Sequence, residues 1–164
     1  PFVRAVTVGT VQDLGITDIN NMGAAMAPAA AKTLCQFFSD TATRPEDYDM
    51  ILTGDLGFVG SRLLERLMQA EGYPMAKLHN DCGLMIYDRK KQDVHAGGSG
   101  CGCAASVLCS FILPQIACQR LKNVLFLATG ALMSPTSTQQ GESIPGIAHL
   151  VYLSSTPNPK EVIC

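Results

Sequence analysis

The chain predicts an α/β fold, with short apolar strands alternating with helices. Three observations carry this. Several runs of strand length are β-branched or uniformly apolar, longer runs between them have helical spacing, and glycine-rich turns mark the junctions. With 164 residues the chain can bury one ordinary core, so a single domain is expected over residues 1–153, followed by a loose, proline-bearing tail over 154–164.

Taken in order, Val3 to Val11 alternates and is rich in β-branched residues, which predicts a strand. Gly15 to Ala27 carries glycine and asparagine and reads as a loop. Pro28 suits the first turn of a helix, and the alanine-rich run after it extends that helix to Phe38. Thr43 to Asp47 is a turn or short helical start, and Tyr48 to Thr53 a short strand ending in Gly54-Asp55-Leu56-Gly57. Val59 to Ala70 places Leu63, Leu64 and Leu67 on one helical face, with Gly72 as its stop. Leu84 to Tyr87 is predicted as a short strand and Asp88 to Asp93 as a charged surface excursion. A long helix over Cys103 to Leu121, a buried strand over Val124 to Thr129, a loop over Gly130 to Ser143 and a last strand over Ala148 to Leu153 complete the pattern. In this connectivity the loops Thr53 to Gly57, His95 to Cys103 and Thr129 to Pro135 all follow strand ends, where α/β sheets place their ligands.

Composition narrows the function. Hydrophobic residues make up 47 % and charged residues only 16 %, with no tryptophan, so the chain is expected to bury much of its surface against another subunit or another part of its own fold. A net charge of −2 without a Lys/Arg stripe argues against nucleic acid. No apolar run reaches the ~20 residues of a membrane span. The opening Pro1-Phe2-Val3-Arg4 reads as an internal cut. Seven cysteines, an odd number, with Cys35, Cys109 and Cys118 set as small hydrophobes in apolar segments, suggest a reduced, cytosolic-side environment. The spacing of His79, Asp81, Cys82, His95, Cys101 and Cys103 matches no zinc pattern, so neither metal nor cofactor is expected.

The stretch His95-Ala-Gly-Gly-Ser-Gly-Cys-Gly-Cys-Ala-Ala-Ser106 is the most informative one. Glycines let the backbone take positive φ and let another group approach it. A helix start leaves N–H groups free for an anion and lowers a nearby thiol pKa, which would activate Cys101 and Cys103. The competing reading is a tight strand-to-helix turn whose small residues only allow close packing.

Thr53-Gly-Asp-Leu-Gly57, His79-Asn-Asp-Cys-Gly83, Gly97-Gly-Ser-Gly-Cys-Gly-Cys103, Asn20 to Pro28 and the long segment Ala128 to His149 resemble the stage V sporulation protein AD family over about residues 1 to 153. The last of these is highly specific, and the tail after Leu153 does not resemble the family. The resemblance implies a thiolase-like fold, of which this chain would be the C-terminal half. That half is a βαβαββ unit with a mixed sheet of about five strands and a central helix, Cys103 to Leu121, covered on both sides in a complete αβαβα sandwich. It further implies a non-catalytic role in spore formation: binding dipicolinic acid (pyridine-2,6-dicarboxylate), free or as its calcium chelate, beside membrane-embedded stage V sporulation proteins. The site of action would be the cytoplasmic side of the inner spore membrane, with a homodimer expected.

Departures from the related acyl-condensing enzymes bear on the alternative, a thiolase- or ketoacyl-synthase-like acyltransferase with a cysteine nucleophile. The loop Gly54 to Gly57 lacks the histidine of those enzymes, Cys101 stands where they carry asparagine or histidine, and Gly130-Ala131-Leu132 lacks the thiolase cysteine. A binding site can outlive its chemistry.

For a planar dianion the candidate ligands are the amides of Gly98, Ser99, Gly100 and Cys101, the hydroxyls of Ser99, Thr53, Thr129 and Ser134, and the imidazole of His95. Asp55 would repel a carboxylate unless calcium intervenes; its structural reading is a cap on the helix from Val59. His95 reads equally as a loop histidine, His79 and Asn80 as turn residues, and His149 as packed core. Arg89-Lys90-Lys91 reads as solvated surface, with attraction to membrane lipid as the alternative.

Overall fold

The computed structural model describes residues 1–157. Five strands form one mixed sheet in the order β1-β5-β4-β2-β3, where β1 is Phe2–Thr7, β2 Met50–Thr53, β3 His79–Asp81, β4 Asn123–Ala131 and β5 Gly146–Ser154. The α/β class and the mixed five-stranded sheet are as expected. β2 runs parallel to both β3 and β4, while β5 is antiparallel to β4 and to β1. Both faces of the parallel strands are covered, which is why Met50 to Thr53 and Val124 to Leu127 read as unbroken apolar runs.

Alternation along those strands divides the core in two. Ile51, Leu125, Leu127 and Leu150 face α1 (Met22–Thr41) and α2 (Gly57–Ala70), where Leu34, Phe37, Phe38, Leu64 and Met68 complete one cluster. Leu52, Val124, Phe126 and Leu153 face the other side and meet Cys82, Cys103, Val107, Ile112 and Ile116. Helix α3 (Cys82–Met85) follows β3 directly. Beyond it, α4 (Cys103–Val107) runs through a π-helical turn, Leu108–Ile112, into α5 (Leu113–Ala117). Pro114, which cannot donate to the carbonyl one turn back, sits just past that widening. A short α6, Pro135–Gln139, lies between β4 and β5.

Several boundaries differ from the sequence reading. Helix α1 opens at Met22 and not at Pro28, because Asn21 caps it, its Oδ1 accepting from the Ala24 amide at 3.3 Å. Pro28 sits inside the helix, where burial of Ala25 to Phe38 outweighs one lost hydrogen bond. The third strand is His79–Asp81, and the predicted strand at Leu84 to Tyr87 is instead helix α3 and its exit. The chain therefore has three βα units before its final pair of strands, one more than βαβαββ. β1 stops at Thr7, and only Gln12 pairs beyond it, with Gly146. The helical run from Cys103 ends at Ala117 and buries one face in this chain, so α1 is the most covered helix. Cys109 and Cys118 are exposed rather than packed, and so is His149, whose Nδ1 accepts from the Gly9 amide at 3.1 Å. The tail reading over 154–164 falls mostly outside the described residues. Its start is held, since Ser154 belongs to β5 and Arg4 Nη1 donates to the carbonyls of Thr156 and Pro157.

Candidate functional site

Parallel strands β2 and β4 end side by side, and the loops leaving them meet the glycine turn. One carboxylate ties the three together. Asp55 Oδ2 accepts from the Ser99 hydroxyl and the Gly100 amide, both at 3.1 Å, and Oδ1 accepts from the Thr129 hydroxyl at 3.0 Å. The Asp55 amide in turn donates to Thr129 Oγ1 at 3.1 Å. Around this knot lies a cavity of ≈ 480 Å³. Asp55, Ser99, Gly100, Cys101 and Thr129 line it on the polar side, with Met22 and Met26 of α1 among its apolar walls.

The remaining predicted site residues lie elsewhere. Thr53 is fully buried, donating to Asp81 Oδ2 at 2.6 Å. His95 projects outward with 90 % of its side chain exposed, 3.7 Å from Asp93. Gly98 uses its amide on the Gly83 carbonyl at 2.7 Å. Ser134 caps α6, its Oγ accepting from the Ser137 amide at 3.1 Å. Among the predicted amide donors, Gly98 and Gly100 are thus already engaged inside the protein.

Beneath the turn sits a residue whose role the sequence did not reveal. Asp81, fully buried at the end of β3, accepts from the amides of Leu56 at 2.9 Å and Gly57 at 3.0 Å as well as from Thr53. It therefore caps α2 from across the sheet, the task expected of Asp55. Gly57, at φ +64°, turns the chain into that helix, and the next amide, Phe58, donates to Ala96 of the glycine loop at 2.8 Å. Burial pushes the Asp81 carboxyl above 3.8, against the downward pull of its three donors and of His79. His79 continues the chain of contacts, with Nε2 3.0 Å from Thr53 Oγ1 and Nδ1 3.4 Å from Glu65 Oε1.

Burial also pushes the His79 imidazole below 6.5, although Glu65 and Asp81 oppose the shift. The folded state then favours neutral histidine while the unfolded chain takes up a proton near 6.5. Stability is expected to be full above that pH and to be lost as pH falls below it, by about 1.4 kcal/mol per unit of depression. Urea denaturation of the wild type and of His79→Gln at about pH 7.5 and 5 checks this, and an unchanged pH dependence in the variant would refute it.

The Cys103 thiol is not activated as the helix start suggested. Burial raises the Cys103 thiol above 9.0, with Asp55 and Asp81 adding to the effect, and pushes Cys82 up to about 12. Cys103 is buried and Cys101 exposed. Helix α1 was the missed wall of the cavity: once its start moves back to Met22, Met22 and Met26 fall one turn apart on a single face. Among the described residues, no helix is long and apolar enough to cross a membrane.

Residues 1–154 match the family described as Stage V sporulation protein AD (SpoVAD). The chain is also 52 % identical over 147 residues to Stage V sporulation protein AD of Bacillus subtilis (strain 168). That match covers 90 % of this chain but 43 % of the relative, so the chain spans less than half the relative's length. The protein belongs to the stage V sporulation protein AD family, which acts in sporulation.

Proposed function

We propose that the cavity at Asp55 binds dipicolinic acid as its calcium chelate, as a step in loading the developing spore, and carries out no acyl transfer. The observation that supports this most is the position of the Asp55 carboxylate. It is the acid lining the cavity, and alone it would repel a dicarboxylate. Among the described residues no three His, Cys, Asp or Glu side chains gather to hold a metal, so a calcium ion would have to bring its own ligands. The pyridine nitrogen and two carboxylates of dipicolinate supply them, leaving calcium free to take a further oxygen from Asp55. Met22, Met26 and the small residues Ala104 and Ala128 offer an apolar slot to the ring.

The thiolase-like assembly and its partners belong to the same reading. Phe2, Val3, Val6, Phe111, Leu132 and Met133 are exposed in this chain, apolar side chains that the rest of a family-length protein and a second copy would cover. The same reading has the protein work beside membrane-embedded stage V proteins, at the inner spore membrane. Against acyl transfer stands the local chemistry: the cavity lining contains no histidine beside Cys101, and the buried thiols are held protonated.

Calorimetry on the intact family-length protein tests the proposal. Calcium–dipicolinate is expected to bind, dipicolinate with a chelator to bind at least about tenfold more weakly, and Asp55→Asn to erase that difference. Cys101→Ser should leave affinity unchanged. Equal binding with and without calcium, or coenzyme A release that Cys101→Ser abolishes, would overturn it.

A further inference from the structure

A second cleft, of ≈ 620 Å³, opens between α2 and the segment from Leu84 to Lys90 and shares no lining residue with the cavity at Asp55. Three cationic side chains converge there, Arg62, Arg89 and Lys90, in a chain with only 12 lysines and arginines. Arg89 is exposed but held in place. Its guanidinium carbon lies 4.2 Å from the centroid of the Phe58 ring, and its Nε donates to the His95 carbonyl at 2.8 Å. Arg62 approaches the same ring at 5.7 Å. The two acids of the cleft are already occupied. Glu65 takes Arg62 Nη1 at 3.0 Å and faces His79, while Asp88 takes Lys91 Nζ at 3.3 Å and the Lys90 amide at 3.0 Å. Arg89 and Lys90 form no ion pair among the described residues. Ser61 also lines this cleft, and its Oγ is the buried side-chain polar atom that lacks a hydrogen-bond partner there.

We propose that this cleft is an anion site for a phosphate group, held by Arg89, Lys90 and Ser61 against the Phe58 ring. A guanidinium fork, an ammonium and a hydroxyl together match the several acceptor oxygens and the double charge of a phosphate monoester. Aromatic stacking pre-orders Arg89, which lowers the entropy cost of capture. A soluble phosphomonoester and the headgroup of an anionic phospholipid share this chemistry.

The test uses the intact family-length protein with inorganic phosphate, followed by phosphorus NMR, and vesicles of phosphatidic acid against vesicles of phosphatidylcholine. Binding of phosphate, or of phosphatidic acid vesicles alone, is expected, and the two arms tell a soluble ligand from a lipid headgroup. Lys90→Ala and Arg89→Ala should each weaken it by about tenfold and Ser61→Ala by a smaller factor, with calcium–dipicolinate affinity unchanged in Lys90→Ala. Lys90 is exposed, so Lys90→Ala keeps the fold and remains decisive if Arg89→Ala loosens the loop. Absence of binding in both arms overturns the assignment. So does binding that Lys90→Ala leaves intact, or that sodium chloride of equal ionic strength abolishes.

Discussion

Asp81→Ala is expected to cost the intact protein about 3 kcal/mol or more, read as a lowered urea midpoint with an unchanged slope. The carboxylate is fully buried and satisfies the Thr53 hydroxyl and the amides of Leu56 and Gly57. Alanine leaves those three donors facing a dry hole, and each orphaned donor is worth roughly 1 kcal/mol or more. The loss is a large share of the ~5–15 kcal/mol that holds a domain together. Asp81→Asn keeps the shape but turns an NH₂ toward a donor, so it should fall between alanine and wild type. The damage would also travel, because the α2 start that Asp81 caps holds the Ala96 carbonyl of the glycine loop. A midpoint within error of wild type for Asp81→Ala would show that the cap contributes little.

Much of this architecture can be read from the residues, and the failures have local causes. The parallel strands announce themselves because both faces are buried, so Met50 to Thr53 and Val124 to Leu127 cannot be mistaken for loops. His79–Asp81 could not be found that way. A three-residue strand of polar side chains has no hydrophobic pattern, and its polarity is what lets it supply the buried hydrogen bonds. Pro28 misled because proline favours the first turn of a helix, whereas here the Asn21 cap and a run of alanines carry the helix through it. Asp55 and Thr129 follow strand ends as read, and they line one cavity with Ser99, Gly100 and Cys101, whose loop leaves helix α3 rather than a strand. Residue type alone did not tell that Thr53, Ser134 and His95 stand outside the lining of that cavity. A hydroxyl or an imidazole near a turn is as readily used to hold the turn as to hold a ligand, and only partners in space decide between them. The glycine turn itself proved to be both things at once, a packing device on its Gly83 side and a cavity wall at Gly100.

Gly83→Ala, though outside the cavity, should weaken ligand binding there more than Gly98→Ala or Gly102→Ala within the glycine turn. The two backbones are clasped, with the Gly98 amide donating to the Gly83 carbonyl at 2.7 Å. A Cβ on Gly83 would stand 2.2 Å from the Gly98 carbonyl oxygen and 3.0 Å from Asp81 Oδ1, so main chain must move. A Cβ on Gly98 would meet Ile86 Cγ2 at 2.5 Å and the Tyr87 ring at 3.1 Å, side chains rather than main chain. One on Gly102 would meet open space. The expected order of damage is therefore Gly83→Ala, then Gly98→Ala, then Gly102→Ala close to wild type. Overpacking of this kind costs about 1–3 kcal/mol, which a stable domain survives. Displacing Gly98 pulls Ser99 and Gly100 off Asp55, so calcium–dipicolinate affinity should drop by at least about tenfold in Gly83→Ala. Hydrogen exchange at the Gly98 amide reads the clasp without reference to any ligand, and it should quicken in Gly83→Ala but not in Gly102→Ala. Rapid exchange with undiminished affinity would separate the turn from binding, and unchanged exchange would mean that the clasp absorbs a methyl group without opening.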